Sequence, residues 1–272
     1  MIRIISIFVG LFFTAALAWS LLWDSVQLSK DGLPHTAAHA YGKHTLKPLK
    51  LASDGPFGKF DNAQLQRGFA VYQGVCASCH SLSHVSYRDL AKIGYNEAEV
   101  KAIAAKATIT AKDPLTGEMK DRPGLPSDKF KPVVYAGNGS PPDLSLITKA
   151  RHGGAAYVYS LLTGYETQPA ELVKHFPDSK TPDGMFYNPY FANLNIAMSP
   201  PLTADGQVTY SDGTPATKDQ MAKDVAAFLV WTAEPELAQR HQTGVWWIVF
   251  LLFATSLAYM SYRNIWADKK GH

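Results

Sequence analysis

The residues best suited to chemistry lie in one short stretch, residues 71–82, which reads VYQGVCASCHSL. It contains both cysteines of the chain, Cys76 and Cys79, and His80 follows directly. CxxCH is the spacing of c-type haem attachment. In that chemistry two thiols bind the porphyrin vinyl groups and the adjacent imidazole binds the iron. The stretch therefore predicts a covalently held haem with His80 as its proximal ligand.

The same cysteine pair has three alternative uses, namely a zinc half-site, a thiol redox pair and a disulfide. A zinc site usually takes four ligands, often from a second Cys or His pair at close spacing. The sequence has no further cysteine, and His84 has no such partner pair. A thioredoxin-type pair belongs to a strand–helix setting, whereas apolar spacing places a helix before Cys76. The pattern therefore favours a haem.

The sixth iron ligand decides between electron transfer and catalysis. An open position permits peroxide or gas chemistry, whereas a methionine sulfur closes it and raises the reduction potential. In NIAMSPPL, Met198 is followed by Ser199 and two prolines, which stiffen the loop. Met198 is therefore the predicted distal ligand. The other methionines lie in the terminal segments, on a helix face or in glycine-rich loops: Met1, Met119, Met185, Met221 and Met260.

Two further motifs suit the surroundings of a haem. In ARHGG, Arg151 precedes two glycines, and a guanidinium can pair with a propionate through two hydrogen bonds. In PPDLS, two prolines precede Asp143, which is predicted to cap a helix. Each residue, taken alone, also suits an ordinary surface or structural role.

Apolar spacing predicts a mostly helical chain. The first soluble helix begins at Asp61, an N-cap candidate. One face of it is apolar: Leu65, Phe69, Tyr72 and Cys76. Four more helices are predicted, over residues 96–107, 143–151, 155–162 and 217–233. The last begins with a capping box formed by Thr217 and Gln220.

The remaining soluble segments predict loops. Residues 110–143 and 165–215 are rich in turn residues, with one possible short hairpin at QVTYSDGTP. Long loops with little sheet indicate that a non-protein group fills the centre of the domain. Residues 24–56 are polar and contain prolines, so they are predicted to form an extended arm before a haem domain at residues 57–240.

The charge pattern argues against nucleic acid as a partner. The formal net charge is +3, and residues near the chain ends account for it. They are Arg3, Arg263, Asp268, Lys269 and Lys270. The chain between them is formally neutral and has no basic run that would bind a phosphate backbone.

Two apolar stretches are long enough to cross a membrane. Residues 241–263 carry no charge before Arg263 and are flanked by Trp and Tyr, as in a spanning helix. The basic tail, residues 264–272, is predicted to stay in the cytoplasm. Residues 1–23 form an apolar run without a convincing cleavage site, so we favour an uncleaved anchor over a signal peptide. In either case the middle of the chain is exported.

Six motifs in this order resemble the cytochrome c1 family, bacterial type, over about residues 55–270. They are GPFGKFDNAQLQRGFAVYQGVCASCHSL, PPDLSLITKARHGGAAYVYSLLTGY, GMFYNPYF, IAMSPPL, YSDGTPATKDQMAKDVAAFLVWTAEPE and the C-terminal anchor. This family is the haem subunit of the ubiquinol–cytochrome c oxidoreductase (cytochrome bc1) complex. The resemblance implies a class I cytochrome c-like domain, in which the helices at 61–76 and 217–233 cross near the haem.

The resemblance also implies roles residue by residue. Cys76 and Cys79 would attach one haem c, and His80 and Met198 would bind its iron. Arg151 would pair with a propionate, while Tyr157, Pro141 and Pro142 would line the pocket. Some bacterial relatives carry an additional cysteine pair that stabilises a loop. This chain lacks that pair, so its loop 165–197 is expected to be held by packing alone.

The implied function is an electron relay. The chain would take one electron from the Rieske iron–sulfur protein and pass it to a cytochrome c. Its anchor would pack beside cytochrome b in a bacterial inner membrane, with the haem domain on the periplasmic side. The subunit itself would form or break no substrate bond.

Three competing functions remain open on sequence grounds. The chain could be a membrane-tethered cytochrome c of another oxidase or reductase. It could be a haem enzyme with an open sixth position, for which His152 or His175 would be the candidate base. It could also be an exported binding module with a structural haem.

Overall fold

The computed structural model describes residues 2–31, 36–113, 116–130, 133, 137, 139–267 and 269. The helices are α1 (Ile2–Asp31), α2 (Ala37–Tyr41), α3 (Asn62–Val71), α4 (Glu97–Ala105), α5 (Ile147–Ala150), α6 (Gly154–Leu162), α7 (Ala170–His175), α8 (Lys218–Ala233) and α9 (Leu237–Trp266). Two antiparallel pairs form the sheet structure: β1 (Thr108–Lys112) with β2 (Met119–Pro123), and β3 (Phe186–Tyr187) with β4 (Asn195–Ile196). The prediction of a mostly helical chain is confirmed.

Helices α3 and α8 cross at the centre of the domain. Helix α3 begins where predicted, because the Asp61 carboxylate accepts hydrogen bonds from Ala63 N and Gln64 N. Gly68 lies at the crossing point, and a Cβ there would lie 2.1 Å from the Asp224 carbonyl oxygen of α8. The absence of a side chain at Gly68 therefore lets the two helices approach closely.

Aromatic rings fill the core around this crossing. Phe69 of α3 lies 5.7 Å from Phe228 of α8 and 6.1 Å from Phe130, measured between ring centroids. Tyr72 is 5.8 Å from Phe228, and Phe228 is 5.6 Å from Trp231. All five side chains are buried, so the predicted apolar face of the first helix is the one that packs.

A buried charge joins α3 to α8. The Asp224 carboxylate is fully buried and accepts hydrogen bonds from Arg67 Nε at 3.0 Å, Gln64 Nε2 at 3.2 Å and Gln220 Nε2 at 2.8 Å. Burial of an ionised group is tolerated when it is paired in this way.

The predicted capping box at the start of α8 is only half formed. Thr217 accepts from Gln220 N, but the Gln220 amide binds Asp224 instead of returning to the helix start.

Five sequence predictions on local structure need correction. The helix predicted over 143–151 is only the four-residue α5, and Asp143 caps no helix because its carboxylate binds the neighbouring loop. The segment QVTYSDGTP contains no strand, whereas the predicted loop 110–143 contains most of the β1–β2 hairpin. The predicted arm 24–56 starts as the last turns of α1 and includes α2.

The two long apolar helices are mostly exposed, and no described residue of either one is buried. The Arg3–Lys30 part of α1 has a mean hydropathy of 2.2, and Leu237–Trp266 has a mean hydropathy of 1.6. In each helix, no residue of the most apolar stretch is buried. Each is long enough to span a bilayer. An exposed apolar helix of this length suits a membrane anchor. Helix α9 begins before the predicted residue 241, and residues 268 and 270–272 of the predicted tail lie outside the described part.

Candidate haem site

The two cysteines lie on one turn at the end of the first soluble helix. Helix α3 continues into a π-helical segment, Tyr72–Cys76. Cys79 N then donates to Cys76 O at 3.1 Å, and His80 N donates to the same oxygen at 2.9 Å. This turn brings both thiols and the imidazole together. Both cysteines are free thiols, so the structure has no disulfide between them.

The surroundings of the thiols do not favour the zinc or redox alternatives. Burial, and secondarily the neighbouring Cys79, raises the pKa of the Cys76 thiol to about 12. Redox-active cysteines need a lowered pKa, because the thiolate is the nucleophile. Within the described part of the chain, His, Cys, Asp and Glu form no group of three or more that could hold a metal ion.

The orientation of His80 suits an iron ligand. Its Nδ1 lies 2.8 Å from the Pro142 carbonyl oxygen, which accepts a hydrogen bond only if Nδ1 carries the proton. That tautomer leaves the lone pair on Nε2 free for a metal, as in most metal-binding histidines. The Tyr72 hydroxyl also donates to His80 O at 3.0 Å. Pro142, predicted only to line the pocket, thus has a specific role through its backbone.

Asp143 holds the segment around Pro142 against the haem motif. Its carboxylate accepts hydrogen bonds from Ser83 N, Ser83 Oγ and Ser145 N, each at 2.8 Å. Burial opposes ionisation of this carboxyl. The hydrogen bonds from Ser145 and Ser83 outweigh it and hold the pKa of Asp143 below its ordinary value. The charged carboxylate therefore stabilises the folded state.

Replacing Asp143 with asparagine should lower the free energy of unfolding by about 1 kcal/mol at pH 7. Because the pKa of Asp143 is lower in the folded state than in the unfolded state, the carboxylate contributes fully to the free energy of unfolding above about pH 4, the ordinary Asp pKa. This contribution should be lost as the pH falls through the lowered folded pKa. Denaturant unfolding at several pH values measures it, with the exposed Asp183→Asn as control. An equal loss in both variants, or one that grows as the pH falls, would contradict this role.

The predicted distal residues form a second group. Met198 is half-buried, and its carbonyl oxygen accepts a hydrogen bond of 3.0 Å from the Tyr165 hydroxyl. Tyr157 of α6, half-buried, lies close enough to contribute to raising the pKa of Tyr165, although burial is the larger cause. Tyr165 is therefore hydrogen-bonded to Met198 and lies near Tyr157.

Arg151 lies exposed between α5 and α6, and its Nη1 donates to Ala150 O at 3.1 Å. The two glycines after His152 have positive φ, 84° at Gly153 and 53° at Gly154, which turn the chain into α6. A Cβ on Gly153 would lie 2.1 Å from Leu46 Cδ1. The arm therefore crosses directly over this turn, which explains the glycine in ARHGG.

The donor set fits a c-type haem. It comprises two free thiols, an imidazole with Nε2 available, a thioether and a guanidinium. Hydrogen bonds between described residues join His80 to Tyr72 and Pro142, and Met198 to Tyr165, but none links these two groups directly. Pro141, next to Pro142, is half-buried. The sequence-based reasoning missed Tyr165, whose only signal is its place in the quoted motif containing TGY.

Comparison with known proteins places the chain in a family. The sequence profile of the Cytochrome C1 family matches residues 51–269. The chain belongs to the cytochrome c1 family. It is 47% identical over 221 residues to "Cytochrome c1 1, heme protein, mitochondrial" of Arabidopsis thaliana, covering 78% of this chain and 69% of that protein. It is 41% identical over 234 residues to "Cytochrome c1" of Rhodospirillum rubrum, covering 79% and 85%.

A third relative is "Cytochrome b/c1" of Bradyrhizobium diazoefficiens, 43% identical over 242 residues, which cover 80% of this chain and 35% of that protein. The cytochrome c1 family carries covalent haem c. Because Cys76 and Cys79 are the chain's two cysteines, membership in the family confirms the prediction of one covalent haem c.

Proposed function

We propose that this cytochrome c1 family member is the membrane-anchored electron-transfer subunit of a ubiquinol–cytochrome c oxidoreductase complex. It accepts one electron from a Rieske iron–sulfur protein and passes it to a cytochrome c. The observation that carries the proposal is the match of residues 51–269 to the Cytochrome C1 family, and the His80 imidazole, bound through Nδ1 to Pro142 O near two free thiols, supports the haem site within it.

Each predicted site residue has a part in this proposal. The haem, when bound, supplies an iron that changes oxidation state by one electron. Cys76 and Cys79 would hold its porphyrin covalently, and His80 Nε2 and Met198 Sδ would be its iron ligands. Arg151 is exposed and free to pair with a propionate. Pro141 and Tyr157 exclude water, and Pro142 orients the imidazole.

The partners follow from the family and from the apolar helices. We propose that α9 packs beside cytochrome b in a bacterial inner membrane. The basic residues after it would remain in the cytoplasm, which puts the haem domain on the periplasmic side. Helix α1 is also long and apolar enough to cross a membrane, and we propose that it is an uncleaved second anchor.

The haem-enzyme alternative has less support from the described residues. It requires an open sixth position and a base near it. His152 and His175, the two candidate bases, are exposed, and His175 Nε2 lies 3.6 Å from the exposed Glu171 carboxylate. Between described residues, no hydrogen bond joins either histidine to His80 or Met198.

Quinol-driven reduction in a purified complex tests the proposal. A tagged chain extracted in mild detergent should co-purify with b-type haem, and added quinol should reduce its c-type haem. Added ferric soluble cytochrome c should then reoxidise it, since the subunit relays single electrons. A Cys76→Ser, Cys79→Ser variant is the matched control and should carry no covalent haem. A c-type haem that dithionite reduces but quinol does not, without b-type haem, would indicate a tethered cytochrome c of another system.

A further inference from the structure

Residues 188–198, the segment that ends at Met198, lie along the C-terminal end of α6. Asn188 Nδ2 donates to Leu161 O at 2.8 Å, in the last turn of that helix. Two residues beyond the helix, Gly164 packs against the Tyr190 ring. The Tyr165 hydroxyl then donates to Met198 O. These three successive contacts join the end of one helix to the whole length of the segment.

The first two contacts are tight and buried. Asn188 is fully buried, its backbone N donates to Leu194 O at 2.8 Å, and its Oδ1 accepts from Tyr190 N at 3.1 Å. A Cβ on Gly164 would lie 2.4 Å from Tyr190 Cδ2. Only glycine therefore permits this approach, and the approach determines where the next residue, Tyr165, stands.

The same segment contains a strained residue. Leu194 has φ of 66°, a left-handed conformation that is uncommon for a residue with a Cβ. Its side chain is buried in a small second core with Leu172, Tyr187 and Ala37. Such conformations persist only where the surroundings enforce them. The conformation of the segment leading to Met198 therefore depends on its contacts with the rest of the fold.

We propose that Tyr165 is a positioning residue that holds the Met198 backbone through its hydroxyl, so that the thioether stays on the haem iron. The inference rests on the proposed function, because it takes Met198 as the distal ligand. Tyr165 touches the ligand's backbone and not the iron.

A Tyr165→Phe variant of the full chain removes this hydroxyl alone. External ligands compete with the thioether, so we expect imidazole to bind the ferric haem about tenfold more tightly than in wild type. A partly buried carbonyl left without its donor costs free energy of this order, ~1.4 kcal/mol for a tenfold change. The sulfur-to-iron absorption band should weaken in parallel.

Tyr159→Phe is the matched control. Tyr159 is a buried tyrosine of α6 whose hydroxyl donates to Asp219 Oδ1 at 2.5 Å, away from Met198. Removing the Tyr159 hydroxyl should leave the affinity of the ferric haem for imidazole within about twofold of wild type. If Tyr165→Phe binds imidazole no more tightly than Tyr159→Phe, the positioning role is wrong.

A double variant separates this inference from the proposed function. In Met198→Leu, the thioether is gone, so adding Tyr165→Phe should change imidazole affinity no further. An equal increase in both backgrounds would show that Tyr165 does not act through Met198. If Met198→Leu itself binds imidazole no better than wild type, the distal-ligand assignment is wrong and the Tyr165 inference with it, whereas reduction of the haem by quinol tests the proposed function separately.

Discussion

Replacing Met198 with leucine should lower the reduction potential of the haem markedly and let carbon monoxide bind the ferrous iron. Axial ligands set haem potentials over roughly 0.8 V, and a thioether favours the reduced state. Leucine has a similar volume but no sulfur, so the pocket should keep its shape while the sixth position opens. A redox titration and a carbon monoxide difference spectrum measure the two effects.

The control for this experiment is Met119→Leu. Met119 begins β2 and is 65% exposed, so its replacement should change neither the potential nor ligand binding. A Met198→Leu protein with wild-type potential and no carbon monoxide binding would show that another residue closes the iron. Carbon monoxide binding by the wild type would instead revive the haem-enzyme alternative.

Replacing Gly68 with alanine should destabilise the haem domain by about 3 kcal/mol or more. The new Cβ would lie 2.1 Å from Asp224 O, 2.7 Å from its carbonyl carbon and 2.6 Å from Phe228 Cβ. Overpacking a core usually costs about 1–3 kcal/mol. Here the obstruction is mainly backbone, so α3 and α8 must move apart, and the aromatic core between them must repack. Thermal unfolding and the yield of haem-loaded protein measure the effect.

Gly74→Ala is the matched control, because it lies in the same continuous helical stretch before Cys76. A Cβ there would make only an ordinary contact of 3.4 Å with Val208 Cγ2. Its melting temperature should stay close to that of wild type. Comparable stability of Gly68→Ala and Gly74→Ala would mean that the close crossing does not support the domain.

Local patterns in the sequence predicted much of the framework. Asp61 and Asn96 cap the helices that begin after them, and Thr217 caps α8, because short polar side chains reach free backbone N–H groups only a few residues on. The β1–β2 hairpin was missed. The first strand, TITAK, alternates polar and apolar residues over only five positions, and the second, MKDRP, is charged and mostly exposed, so the pair is too short and too polar to be recognised by apolar alternation.

The sequence by itself determined that this chain attaches a haem, because CxxCH is a local motif whose chemistry needs only neighbouring residues. It also pointed to the apolar helices and to Met198, through composition and the prolines beside it. The tertiary structure alone decided what holds His80 and Met198 in place. The Pro142 carbonyl reaches His80 and the Tyr165 hydroxyl reaches Met198 across long separations in the chain. Such contacts depend on how helices and loops pack, and no local spacing in a sequence encodes them.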